Sequence, residues 1–220
     1  MDALDKAKDK ILMGKERRSL LLTEEEKKII AYHEAGHAIV GLLSPEHDPI
    51  YKVTIIPRTM ALGVTIFLPE KDKYLYSKIQ LESQITSLFG GRVAEALIFG
   101  DDYITTGASN DIKKATDLSR KMVVEWGLSE IVGPINLFEN DEEVFLGHQI
   151  AKHKTISEDT IRLVDNEIKR IINTSYFKAS DILKDNIDKL HNMANELLKN
   201  ETIDLDKILI IMSEDVSSNI

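Results

Sequence analysis

The chain has no cysteine among its 220 residues. Disulfide staples and cysteine-type structural zinc sites are therefore excluded, and a reducing compartment fits. No apolar run reaches the length of a membrane span, and no signal peptide precedes the first helix. As given, the chain reads as soluble and globular. Positive charge is in deficit: 28 Lys and Arg face 37 Asp and Glu, a net charge of -9. That balance argues against non-specific binding to nucleic acid or to an anionic membrane surface. No G-x-x-x-x-G-K-[ST] segment occurs, so the chain carries no P-loop. Aromatic residues are scarce, whereas Leu, Ile, Lys and Glu are plentiful, which leans helical. The length suffices to bury a full core without staples.

Against these absences stands one dense signal, His33-Glu34-Ala35-Gly36-His37. On a helix, residues four apart share a face, so both imidazoles of this H-E-x-x-H pentad can point at a common atom. Zinc suits that geometry, since imidazole is a good ligand and the ion takes a tetrahedral shell. Glu34, one step round the helix, can serve as a general base without being a ligand. From Ile29 to Leu43 the only other ionisable side chain is Tyr32. Apolar residues cover nearly every direction, which marks a buried helix. Buried ionisable groups need a partner, and a metal supplies one. The alternative is a set of core histidines satisfied by backbone hydrogen bonds.

The flanking sequence frames this helix. Residues 1–22 read as a charged helical lead-in followed by a linker. Thr23 with Glu26 forms a capping box, and Glu24 and Glu25 suit the positive end of a helix dipole. The pentad helix then runs from about Glu24 to Leu43, stopped by Ser44-Pro45. Two β runs follow, Lys52–Ile56 and Val64–Leu68, as a hairpin or small mixed sheet. An edge strand beside a metal can hold a substrate backbone by strand addition. Val64, Thr65, Ile66, Phe67 and Leu68 are the candidates for that strand, the alternative being a plain structural hairpin. A helix over Ser77–Phe99 has a break or a packing contact at Gly90-Gly91, and an amphipathic helix over Ala108–Trp126 ends at Gly127. Leu128–Gly147 has more β character. Helices over Ser157–Thr174, Ser180–Leu198 and Leu205–Met212 complete a helical C-terminal third. The expected fold is mainly α with a small β-sheet or hairpin, a zincin-like H-E-x-x-H helix and a C-terminal helical bundle. Its domain occupies residues 23–213, with 214–220 a flexible tail.

A catalytic zinc needs three protein ligands and one open position. Val40 and Leu43 stand where a metzincin-like pattern would need Gly and His, and no thermolysin-like glutamate follows about twenty residues on. His47, His148, His153 and His191 lie in polar loops or on mixed helix faces and read as surface histidines. Carboxylates are the better candidates. Asp111 heads the stripe Asp111, Ala115, Leu118, Met122 of the Ala108–Trp126 helix, whereas Asp117 projects to the other side and reads as solvated. Asp111 is thus either a ligand or an N-terminal charge on the helix dipole.

These residues belong to a wider pattern. Ala31-Tyr32-His33-Glu34-Ala35-Gly36-His37-Ala38 is followed by Ile55-Ile56-Pro57-Arg58 and Ala61-Leu62-Gly63-Val64-Thr65. Then come Gly90-Gly91-Arg92-Val93-Ala94-Glu95, Thr105-Thr106-Gly107-Ala108-Ser109-Asn110-Asp111 and Trp126-Gly127-Leu128-Ser129-Glu130. In this order they resemble the peptidase domain of the FtsH family of membrane-anchored, ATP-dependent zinc metalloproteases. The resemblance spans roughly residues 14–212. It implies a zinc endopeptidase with one Zn2+ held by His33, His37 and Asp111, and Glu34 as general base. Glu95 falls on a position that holds a ligand histidine by its other ring nitrogen; the alternative is a charge on a helix surface. Ala96 departs from the family's usual pair of acids there, and the Asp101-Asp102-Tyr103 loop is slightly long. The resemblance further implies unfolded or misassembled protein substrates and a homo-hexameric ring. It also implies an ATP-using module and an anchor in the bacterial inner membrane, with the peptidase domain facing the cytoplasm. Residues 1–22 would then be the tail of the ATPase module plus its linker. Two other readings compete: a free-standing zinc peptidase, and a non-catalytic helical assembly module with a structural metal.

Overall fold

A computed structural model describes residues 2–137 and 156–213, apart from 18, 60 and 70. Helix α1 (Asp2–Met13) precedes α2 (Glu24–Leu43), which carries the pentad. The expected bounds of α2 hold, because both ends are chemically marked. The Thr23 hydroxyl accepts from the Glu26 amide at 3.1 Å, and a Glu26 carboxylate oxygen accepts from the Thr23 amide at 2.8 Å. At the other end the Ser44 hydroxyl donates to the Val40 carbonyl at 2.6 Å, just ahead of Pro45. Every residue of α2 from Ala31 to Gly41 is buried.

Strands β1 (Ile50–Thr54) and β2 (Val64–Phe67) pair antiparallel, with Val53 opposite Thr65 and Thr54 opposite Val64. A third strand, β3 (Thr202–Asp204), pairs on the far side of β1, so the sheet order is β2-β1-β3 and β2 lies on an edge. The chain then forms α3 (Lys78–Leu88) and α4 (Gly90–Phe99), separated beside the glycine pair, where the sequence places a break or a packing contact. Short 3-10 turns at Asp101–Tyr103 and Thr106–Ala108 lead into α5 (Ser109–Val124). Helices α6 (Glu158–Asp185), α7 (Ile187–Asn200) and α8 (Leu205–Ser213) close the molecule.

The core surrounds α2. Ile39, Ile85, Leu183, Leu190 and Leu197 are fully buried, each contributing about 1.5–3 kcal/mol relative to exposure. Helix α4 crosses α2 at backbone distance: a Cβ on Gly36 would collide with the Gly90 carbonyl oxygen, and one on Gly90 with that of Gly36. Only hydrogen fits at this crossing.

Two expectations need correction. The C-terminal helices do not divide between 174 and 180; α6 is continuous for 28 residues and the break falls at Asn186. Thr174, Ser175 and Tyr176 are weak helix formers, but Ser175 is buried in the packed face and tertiary burial overrides propensity. At Asn186 the backbone leaves the helical region while its side-chain amide donates to the Ile182 carbonyl at 2.8 Å. Within 128–137 there is no strand; the segment is turns fastened to α5 and α6, and the remainder of the Leu128–Gly147 reading lies outside the described residues. The segment after α1 packs against the loop that follows β1. Gly14 turns it at φ +78°, the Arg17 amide donates to the Pro57 carbonyl at 2.8 Å, and Glu16 bridges Arg58. Residues 214–220 lie outside the described residues.

Candidate metal centre

Three side chains from two helices converge below the sheet edge. His33 and His37 come from consecutive turns of α2, and Asp111 from the first turn of α5. The two Nε2 atoms are 3.0 Å apart, and Asp111 Oδ2 lies 3.6 Å from the first and 3.4 Å from the second. Tetrahedral zinc with bonds of about 2.1 Å separates its ligands by about 3.4 Å. The triangle therefore has the size such a shell requires. Among the described residues the group offers three donors, the number that a catalytic zinc site takes from the protein.

The other ring nitrogens settle the tautomers. His37 Nδ1 lies 2.8 Å from the Ser87 carbonyl, which can only accept, so Nδ1 carries the proton. His33 Nδ1 lies 2.6 Å from Glu95 Oε1 and donates to that carboxylate. With both rings neutral, two Nε2 lone pairs would face one another at 3.0 Å, an arrangement that calls for a proton or a metal cation between them. The local electrostatics agree. Burial opposes charge on His33, but hydrogen bonds with Asp111 and Glu95 and the nearby Glu34 outweigh it, pushing its pKa up to about 10. Burial likewise opposes ionisation of Asp111, yet its two histidine partners hold the carboxyl well below the usual carboxylate range. The site is built for positive charge, and either a proton or a metal can supply it.

Glu95 is no surface charge. It is almost wholly buried on α4, and its second oxygen accepts from the Thr105 amide at 2.7 Å. Burial works against its charge, but these hydrogen bonds hold its pKa below the ordinary glutamate value. One carboxylate thus orients His33 and tethers the turn that launches α5 and Asp111. Gly91 leaves room for the imidazole, since a Cβ there would collide with the His33 ring.

Glu34 is buried beside the two histidines. Its Oε2 accepts from the Thr65 hydroxyl at 2.7 Å. A cleft of about 1130 Å³ opens over it, with β2 and residues 61–63 on one side and α5 on the other. Val64, Thr65 and Phe67 line this cleft, whereas Ile66 and Leu68 do not; Thr65 and Phe67 share one face of the strand. The Leu68 amide instead extends the hairpin ladder to the Pro49 carbonyl at 2.9 Å.

Among the other histidines, the surface reading needs correction for two. His47 is half-buried in the cleft, its ring edge-on to Phe67 at 4.3 Å between centroids. Burial lowers its pKa. His191 is half-buried and shares a 2.8 Å hydrogen bond with the Tyr32 hydroxyl. Neither joins the metal-binding group. His148 and His153 lie outside the described residues. The contacts of Thr65, Ser87 and Thr105 were not foreseen. Those of Ser87 and Thr105 are made by backbone atoms, which leave no side-chain signature.

The chain is similar to known proteins over most of its length. Residues 20–211 match the model of peptidase family M41. The chain is 54% identical over 211 residues to the ATP-dependent zinc metalloprotease FtsH of Haemophilus influenzae, covering 96% of this chain and 33% of that protein. It is 52% identical to the FtsH of Photobacterium profundum, covering 97% of this chain and 31% of the relative. For that of Caulobacter vibrioides the identity is 49%, with 96% and 34% covered. The chain spans about a third of the length of the curated relatives it matches. With the pentad, Asp111 and Glu95 all lying inside the matched span, the chain belongs to peptidase family M41.

Proposed function

We propose that this chain is the zinc endopeptidase part of a longer ATP-dependent, membrane-anchored protease that degrades unfolded or misassembled membrane and soluble proteins. The observation that carries the reading is the convergence of His33 Nε2, His37 Nε2 and Asp111 Oδ2 beside a carboxylate that is not one of the three donors. His33, His37 and Asp111 would hold the zinc. When bound, zinc supplies a Lewis acid and lowers the pKa of water at its open position towards about 7. Glu34 takes a proton from the attacking water and later returns one to the leaving amine. Glu95 and the Ser87 carbonyl keep the imidazoles in the tautomer that presents Nε2.

Strand β2 receives the substrate. Among the described residues its outer edge has no partner strand, so an extended chain can add there through main-chain hydrogen bonds, which tolerates many sequences. The substrates are therefore unfolded segments. Residues 23–213 form the peptidase domain, with residues 1–22 the tail of an ATPase module and its linker, and 214–220 a tail. The parent protein is a homo-hexamer in the bacterial inner membrane with this domain facing the cytoplasm. No helix among the described residues is long and apolar enough to cross a membrane.

Zinc content and cleavage of a casein-type substrate, compared for wild type and Glu34→Gln, test this. Zinc should be unchanged while turnover falls about 10²- to 10⁴-fold. Near-normal turnover in the variant would remove Glu34 from the mechanism.

A further inference from the structure

The geometry points to Thr65 as the residue that positions the general base, which makes one strand responsible for both the substrate and the proton acceptor. This rests on Glu34 acting as that base. An ionised carboxylate can only accept, so the 2.7 Å contact from Thr65 Oγ1 to Glu34 Oε2 has the threonine as donor. The distance is that of a charge-assisted bond. The same hydroxyl lies 3.1 Å from the Glu34 backbone carbonyl, so it spans side chain and main chain of one residue. Two residues earlier, Gly63 presses on the same group: a Cβ there would stand 2.7 Å from Glu34 Oε1 and 2.8 Å from its Cγ. Gly63 and Thr65 thus hold the carboxylate from one short stretch of chain.

The two oxygens of Glu34 are left unequal. Oε2 is held by Thr65, whereas Oε1 takes no hydrogen bond from the described residues and belongs to a side chain lining the cleft. Oε1 is therefore the oxygen that accepts the proton from water, and Oε2 is the anchored one. Because Thr65 sits on β2, opposite Val53, its position is set by the register of the hairpin. A substrate strand laid along the free edge of β2 and the base beneath it are consequently placed by the same backbone. Any slip of β2 would misplace both.

The test uses the full-length protein that carries this chain, with kcat and KM measured on an unfolded casein-type substrate and zinc content in parallel. Thr65→Val removes the donor at nearly constant volume. It should lower kcat about 10- to 100-fold with KM changed less than about 3-fold and with zinc per chain unchanged. Thr65→Ser keeps the hydroxyl and should return kcat to within about 3-fold of wild type. In a Glu34→Asp background the carboxylate is one methylene shorter and out of the threonine's reach. Thr65→Val should then cost less than about 2-fold. A Thr65→Val protein with wild-type kcat, or a loss confined to KM, would overturn the assignment. So would failure of Thr65→Ser to restore turnover, or an equal loss in the Glu34→Asp background. Loss of zinc would show a purely structural role and overturn it as well. Glu34→Gln separates the two claims: if it is inactive while Thr65→Val is fully active, the base stands and only the positioning role falls.

Discussion

At Asp111 a single oxygen supplies the third corner of the donor triangle. Replacing it with Asn keeps the volume but removes the negative charge that a doubly positive ion favours. Asp111→Asn should lower zinc per chain as measured by metal analysis, and unchanged occupancy would strike Asp111 from the donors. Glu95 acts one step further out, where His33 Nδ1 and the Thr105 amide both donate to it. A glutamine can accept from one donor but turns its own N–H groups on the other. Glu95→Gln should therefore weaken zinc binding about 10- to 100-fold, read by competition with a chelating dye. Affinity equal to wild type would show that the hydrogen bond only fills space. The pentad residues were legible in the sequence, because their spacing encodes their geometry. Asp111 was legible as a candidate, since its helical stripe singled it out without deciding between ligand and dipole charge. The Thr65 contact was not, because it depends on the hairpin docking over α2, and no spacing along the chain expresses that.

Helices α2 and α4 meet as bare backbone, and His33 fills the space left at Gly91. Gly91→Ala is helix-compatible and, by propensity alone, should stabilise α4 by about 0.5–1 kcal/mol. The collision with the imidazole outweighs this: a net loss of about 1–3 kcal/mol is expected in denaturant unfolding, together with reduced zinc content. A more stable variant with full zinc would show that the crossing has slack. At the same scale the Glu167 carboxylate, buried on α6, accepts from Ser129 Oγ at 3.0 Å and from both Nε and Nη2 of Arg170. It fastens the turn after α5 to α6. Capped or glycine-marked boundaries were readable, as at Thr23, Ser77, Gly90 and Gly127. The boundary at Asn186 was not, nor the helix end at Glu201, whose left-handed φ of 59° is usually a glycine's place. Strand β3 is three residues long and exists only because β1 offers it an edge. Such a strand carries too little pattern to be seen in one dimension.

For the whole molecule, acidity and metal are competitors. With its pKa at about 10, His33 in the metal-free protein is an imidazolium at pH 7. Zinc must displace that proton, so its apparent affinity should rise with pH until about pH 10. Calorimetric titration at pH 7 in buffers of different ionisation enthalpy should reveal proton release, and buffer-independent heats would contradict it. The sign for stability follows. The raised His33 pKa adds stability to the metal-free fold that is complete below its ordinary value of 6.5 and lost as the pH rises through about 10. The depressed Asp111 pKa contributes above the ordinary carboxylate range and is lost on acidification.

The donor triangle also has a topological side. Its corners lie on α2 and α5, and the chain between them carries the hairpin strands β1 and β2 and both α3 and α4. An ion bound there closes that entire stretch into a loop, as a covalent cross-link would, and binding free energy becomes cohesion of the loop. Chelation should then speed amide hydrogen exchange across residues 50–99 as a block, not only at the three donors. In a protein depleted long enough for that loop to open, activity after adding zinc should recover at the pace of the chain closing up, long after the ion itself has arrived.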